Sequence, residues 1–244
     1  FGQTVSGKWI DESQIIDYVE EDELMIPDLS TLKKLPWNKE PTAQVICDLH
    51  YISGAPSAVA PRQVLKKIIQ LLKDNDLRAV VAPELEFYLC EKNLDPNIPL
   101  QTPVGKSGRR ANGSDVFGID SVNEFDVFLD DIYDYCETLD IGVDTLVHES
   151  GPSQIEINLN HGDPLKLADQ TFMFKRAVRQ VALKHGIHAT FMAKPHQGQP
   201  GSSMHIHQNL VSIKNGNNIF SDANGKESEK FYNYIGGLQT YLPD

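Results

Sequence analysis

Three stretches of this chain place metal-ligating side chains at every second position. In Val81-Ala82-Pro83-Glu84-Leu85-Glu86-Phe87-Tyr88-Leu89, acids alternate with apolar residues. Side chains of an extended strand point alternately to opposite faces. Glu84 and Glu86 therefore share one face, about 7 Å apart, while Leu85, Phe87 and Leu89 share the other. In Ser153-Gln154-Ile155-Glu156-Ile157-Asn158-Leu159, the apolar face is Ile155, Ile157 and Leu159, and Glu156 lies opposite beside Gln154 and Asn158. In Met204-His205-Ile206-His207-Gln208-Asn209-Leu210, one face carries His205, His207 and Asn209. Glu149 adds an acid in the turn before the second stretch.

A half-buried strand with a wet face accounts for any one of these stretches, and a lone HxH is weak. Three together are more informative. If they converge, Glu84, Glu86, Glu149 and Glu156 crowd, and like charges at short range raise one another's pKa. Divalent cations relieve that repulsion. Oxygen-rich ligation suits Mg2+ or Mn2+, an imidazole favours tolerance of Mn2+, and the absence of a nearby thiolate disfavours structural zinc. Two metals among carboxylates, with no side-chain nucleophile, suggest phosphoryl transfer, which needs positioning and charge neutralisation. There is no Walker A loop and no kinase glycine loop, so metals and basic residues must hold the phosphates.

The elements that must carry these residues follow from pattern. Ala43 to Leu49 reads as a strand in a small β-rich region rich in acids between 10 and 28. Pro61 opens a helix with Leu65, Ile68, Ile69 and Leu72 at helical spacing, stopped by Asp74-Asn75-Asp76. A strand is predicted from Ala79 to Cys90, a long loop over 91–115, and a helix from about Asn123 to Asp140. Strands near 143–148 and 153–159 precede a helix capped by Asp163-Pro164 and closed by Lys184-His185-Gly186. Strands near 188–194 and 203–211, a turn at Asn215-Gly216 and a helix from about Ser228 complete the pattern.

Composition bounds the partners. Of the 244 residues, 40% are apolar and 23% charged, ordinary for a globular protein. A formal charge of −12 argues against nucleic acid or an acidic membrane. No apolar run approaches the roughly 20 residues of a membrane span. Three dispersed cysteines (Cys47, Cys90 and Cys136) fit a reducing, cytoplasmic setting. The chain starts at Phe1 and stops at Asp244 directly after a helical pattern, so both ends read as cut.

From Leu24-Met25-Ile26-Pro27-Asp28 to Ile235-Gly236-Gly237-Leu238, the chain resembles the glutamine synthetase family. The most specific blocks are Ala82–Phe87, His148-Glu149 with Gln154-Ile155-Glu156, Thr190-Phe191-Met192-Ala193-Lys194-Pro195, and Gly201-Ser202-Ser203-Met204-His205-Ile206-His207. Asp131–Glu137 and Asp144–Gly151 look most like the γ-glutamylpolyamine (γ-glutamylputrescine) synthetase branch. The resemblance implies an α+β fold. A small β-grasp domain, here 1–55, precedes a catalytic α/β domain with a curved antiparallel sheet, here 56–244 and incomplete. It also implies a homo-oligomer of stacked hexameric rings, a dodecamer, with sites between subunits.

The implied reaction joins an amine to the γ-carboxylate of glutamate through γ-glutamyl phosphate, with ATP as co-substrate and two Mg2+ or Mn2+ ions. By resemblance, Glu86, Glu149 and Glu156 hold the metal nearer glutamate and amine. Glu84 and His205 hold the second metal, at the ATP phosphates. His207 and Asn209 meet the nucleotide, and Gly201 meets glutamate. A carboxylate base must deprotonate the amine, and no one residue is singled out for it. The family's arginine-rich motif, flap acid and third ligand to the second metal have no match in residues 1–244, so the fragment alone is expected to be inactive. Pro200 stands where the family has an asparagine, and no acid is matched to the one the first domain lends a neighbour.

Other readings are an ammonia-using glutamine synthetase, a non-catalytic assembly or regulatory relative, and a mononuclear HxH enzyme of cupin or amidohydrolase type. Against the last, residues 208–244 hold no histidine to complete a cupin site. Against a non-catalytic relative stands the retention of five clustered ligand positions. Arg109-Arg110 reads as a solvated loop pair, His148 as structural, and Lys194 as a strand-end charge.

Overall fold

A single long strand organises the sheet that carries all three alternating stretches. The computed structural model describes residues 22–113 and 115–242. In chain order these form β1 (Glu23–Lys34), β2 (Ala43–Tyr51), α1 (Pro61–Asp74), β3 (Leu77–Glu91), α2 (Ile119–Asn123), α3 (Asp126–Leu139), β4 (Val143–His148), β5 (Gln154–Leu159), α4 (Pro164–Lys184), β6 (Ile187–Thr190), β7 (Met204–Ser212) and α5 (Glu229–Tyr241). β3 pairs along one edge with β5, which pairs in turn with β4. Along its other edge β3 pairs first with β7 and then with β6. All these pairings are antiparallel.

The apolar face of this sheet meets two helices. Leu85, Phe87 and Leu89 of β3 and Ile155, Ile157 and Leu159 of β5 are buried there. α4 presents Phe174, Ala177, Val178 and Val181, an i, i+3, i+4, i+7 stripe that is fully buried. α3 adds Phe128, Leu129, Ile132, Cys136 and Leu139. The caps follow from chemistry: the Asp163 carboxylate accepts from Leu165 N and Lys166 N at 3.0 Å each, and Gly186 leaves α4 at φ +74°. Burial of the Cys136 thiol pushes its pKa up to about 12, and that of Cys90 to about 11, so both are neutral packing groups.

Most expected elements are present, with three differences. β6 ends at Thr190 rather than near 194, because the chain leaves the sheet ahead of Pro195. The helix expected from about Asn123 to Asp140 begins at Asp126 as α3, and a short α2 over Ile119–Asn123 precedes it. β1 lies in the expected β-rich region, but no strand pattern marks it. Its Pro27 and dense charge obscure alternation, yet it pairs antiparallel with β2, Pro27 opposite Cys47. The acids Asp11, Glu12, Asp17, Glu20 and Glu21 lie outside the described residues, so what is seen of the first region is a two-stranded sheet. Among the described residues no helix is long and apolar enough to cross a membrane.

That small sheet is tied to the larger layer by Arg62 of α1. Its guanidinium donates to Asp28 of β1 at 2.6 Å, to Asp48 of β2 at 2.6 Å, and to Asp169 of α4 at 3.0 Å. Lys66 also donates to Asp48. Hydrogen bonds from Ser30 and then Arg62 hold Asp28 down at about 2. Burial works to raise Asp48, but hydrogen bonds from Lys66 and Arg62 outweigh it and keep its pKa low. Arg62→Ala leaves three aspartates without their shared cation. We expect a loss of about 2 kcal/mol, below the cost of breaking a fully buried pair because solvent reaches the cluster. Denaturant unfolding measures it.

Candidate active site

Register brings the ligand candidates together. Glu84 of β3 stands opposite His205 of β7, and Glu86 stands opposite Glu156 of β5. Directly opposed residues of an antiparallel pair share a face. The polar face therefore carries Glu84, Glu86, Glu156, His205 and His207 on three adjacent strands, with the core directly behind.

Ligand atoms of Glu84, Glu156 and His205 all lie within 4.8 Å of one another. The Glu84 carboxylate receives an imidazole on each oxygen: His205 Nδ1 at 3.2 Å on Oε2 and His207 Nε2 at 2.7 Å on Oε1. Both imidazoles are exposed, so this edge of the face is open to a ligand. Burial first, and then the charges of Glu84, Glu149 and Glu86, raise the Glu156 pKa. That is the repulsion expected of converging acids. Hard oxygen donors with one imidazole fit Mg2+ or Mn2+.

The remaining candidates sit around this cluster. Glu149 follows β4; its backbone N–H donates to Gln154 O at 2.8 Å, and its carboxylate accepts from Ser150 N at 3.2 Å. Glu86 is 9% exposed, and its Oε2 accepts from Gln154 Nε2 at 2.9 Å and Ser203 N at 3.1 Å. Asn209 lies opposite Val80, farther along β7, with its buried Oδ1 unpartnered. The structure thus joins Glu84, Glu156 and His205 in one group, brings His207 onto the same carboxylate as His205, and sets Asn209 apart.

Gly201 belongs to the turn between β6 and β7. A Cβ there would meet Ala193 O at 2.7 Å, a backbone atom that cannot swing aside. Gly201→Ala must therefore displace the turn. We expect a loss of stability of about 1 kcal/mol, checked by denaturant unfolding. Pro200, lacking a side-chain amide, contributes its carbonyl, which accepts from Tyr88 Oη at 2.8 Å. Burial first, then the charge of Glu86, pushes Tyr88 up to about 12, which keeps it a donor.

Alternation puts Gln154 on the face of Glu156 and gives it no role. Its 1% exposure and its partners are long-range facts that alternation does not encode. His148 is 3% exposed and stands opposite Ile155, on the side of β4 away from the polar face. Lys194 is exposed beyond the end of β6, and Arg110 pairs with Glu91 at 2.8 Å. Asp131 pairs with Lys184 at 2.7 Å and His185 at 2.5 Å, so the α3 segment that suggested the polyamine branch lies behind the sheet, away from the ligands.

Comparison with known proteins identifies the family. The chain is 36% identical to gamma-glutamylputrescine synthetase PuuA of Escherichia coli (strain K12), over all of this chain and 52% of the relative. It is 34% identical to a glutamate–isopropylamine ligase of Pseudomonas sp, over 88% and 46%. It is 35% identical to a glutamine synthetase of Methanocaldococcus jannaschii, over 97% and 52%. The chain thus spans about half the length of the curated relatives it matches. A solved structure of apo GmaS superposes with a TM-score of 0.74 at 28% identity, covering 96% of this chain and 52% of that one. Residues 58–244 match the model of the glutamine synthetase catalytic domain, and the chain belongs to that family.

Proposed function

We propose that the full-length protein is an ATP-dependent glutamate–amine ligase that forms a γ-glutamyl amide through γ-glutamyl phosphate, with a polyamine such as putrescine as the amine. The observation that carries this reading is the group formed by Glu84, Glu156 and His205, with ligand atoms within 4.8 Å, on a face that also holds Glu86 and His207. Divalent ions held there supply charge neutralisation for a phosphoryl passing from ATP to a carboxylate. Glu86, Glu149 and Glu156 are assigned to the ion nearer glutamate, and Glu84 and His205 to the ion at the ATP phosphates. Glu156, opposite Glu86 and grouped with Glu84, lies between the two sets.

His207 and Asn209, farther along β7 than His205, are assigned to the nucleotide. Gly201, in its tight turn, is assigned to glutamate. The γ-phosphoryl leaves ATP for the glutamate side-chain oxygen, giving ADP and an acyl phosphate. The amine nitrogen then displaces phosphate and yields its proton to a carboxylate. Residues 1–55 are assigned to a β-grasp domain and 56–244 to the catalytic domain, in a cytoplasmic ring-shaped homo-oligomer.

The amine is the finest part of the proposal. Relatives of nearly equal identity are named for putrescine, isopropylamine and glutamine synthesis, so ammonia is the second reading. ADP release by the full-length protein with glutamate separates the two. Putrescine or spermidine should stimulate turnover most strongly. Stimulation by ammonia alone, with polyamines and ethanolamine inert, overturns the polyamine assignment.

A further inference from the structure

We infer that Gln154 is a positioning residue that couples the Glu86 metal ligand to the Gly201 turn. This rests on the ligase reading above and assigns a role to a residue that is itself neither ligand nor substrate contact. The Gln154 amide is 1% exposed and uses both of its donor hydrogens. Nε2 donates to Glu86 Oε2 at 2.9 Å and to Gly201 O at 2.9 Å. Oε1 accepts from Gly151 N at 2.9 Å. A reversed amide would set its oxygen against a carboxylate and a carbonyl, and its NH2 against an N–H. The partners therefore fix its orientation.

Three segments meet at this side chain: β3 through Glu86, the β6–β7 turn through Gly201, and the turn after Glu149 through Gly151. The surroundings leave little slack. A Cβ on Gly151 would lie 1.8 Å from Tyr88 Oη, and Tyr88 itself reaches Pro200 O. His196 packs edge-on against the Tyr88 ring at 5.0 Å. Two buried side chains thus hold the same turn, and they differ in one respect. Gln154 donates a hydrogen bond to Glu86, whereas the Tyr88 hydroxyl donates to Pro200 O.

That difference makes a test. Partners that orient a ligating carboxylate commonly carry a 10–100-fold effect on metal affinity when removed. In the full-length protein, Gln154→Leu keeps the volume and removes all three bonds. It should weaken Mn2+ binding, followed by calorimetry and by the Mn2+ spin-resonance signal, about tenfold at one site. It should also raise glutamate KM at least as much, while ATP KM moves less than twofold. Tyr88→Phe should raise glutamate KM and leave Mn2+ affinity unchanged. If Q154L does not fold, Gln154→Asn, one methylene too short to reach both Glu86 and Gly151, takes its place with the same expectations. Unchanged Mn2+ affinity in the Gln154 variant, beside normal binding by the wild type, overturns the inference alone. No Mn2+ binding by the wild type overturns the ligase reading beneath it.

Discussion

Glu84→Gln is expected to lower ligase turnover of the full-length protein about a thousandfold, equivalent to roughly 4 kcal/mol of lost transition-state stabilisation. Glu84 is the acid on which the polar face depends most. It belongs to the group with Glu156 and His205, and each of its oxygens faces an imidazole. Glutamine offers one neutral oxygen and turns an NH2 toward the other partner, so one imidazole loses its acceptor and the ion loses a full negative charge. The fold should survive. Leu85 and Phe87, the neighbours on the core face, are untouched, and a change on a solvent-reached face shifts unfolding by about 0.5 kcal/mol or less. ADP release and Mn2+ titration on one preparation check both halves. Retained Mn2+ affinity with wild-type turnover would remove Glu84 from the metal site and with it the assignment of β7 to ATP.

The same residues show why this site was legible in sequence while much around it was not. A half-buried strand has a period of two, so any run with ligands on one parity and large apolar residues on the other declares both its core side and its working side. β3, β5 and β7 each do so. Their mutual register is a tertiary fact, and only the structure sets Glu84 opposite His205 and Glu86 opposite Glu156. β1 carries no such signal because its charges and Pro27 break the period. Arg62 with Asp28, Asp48 and Asp169 leaves no local trace, since the partners are 34, 14 and 107 positions away. Gln154 was visible as a polar residue on the right face, but an amide's worth lies in what it bonds, and Gly201 O is 47 positions distant. The blocks specific to the family supplied roles that alternation alone could not.

Glu156 gives the second large effect, because its value to stability reverses with metal. Burial, reinforced by Glu84 and Glu149, raises its pKa above the ordinary glutamate value. Without metal, the folded protein therefore holds this proton more tightly than the unfolded chain does. Stability from this group is fully present below the unfolded glutamate pKa, about 4.3, and is lost as pH rises through the raised folded value. At neutral pH the wild type carries that penalty, and Glu156→Gln removes it. The metal-free variant should unfold at a higher temperature than the metal-free wild type, with the gap closing as pH falls. Bound metal inverts the order. An ion at a hundredfold its Kd adds about 2.7 kcal/mol to the wild type, and a variant missing this ligand should recover less than half of that. Thermal unfolding of the full-length protein, with chelator and with Mn2+ at pH 5 and pH 8, should show the two curves crossing. A variant less stable than wild type under chelator at pH 8 would mean that the acids on this face do not repel one another, and the case for a cation between them would lose its physical basis.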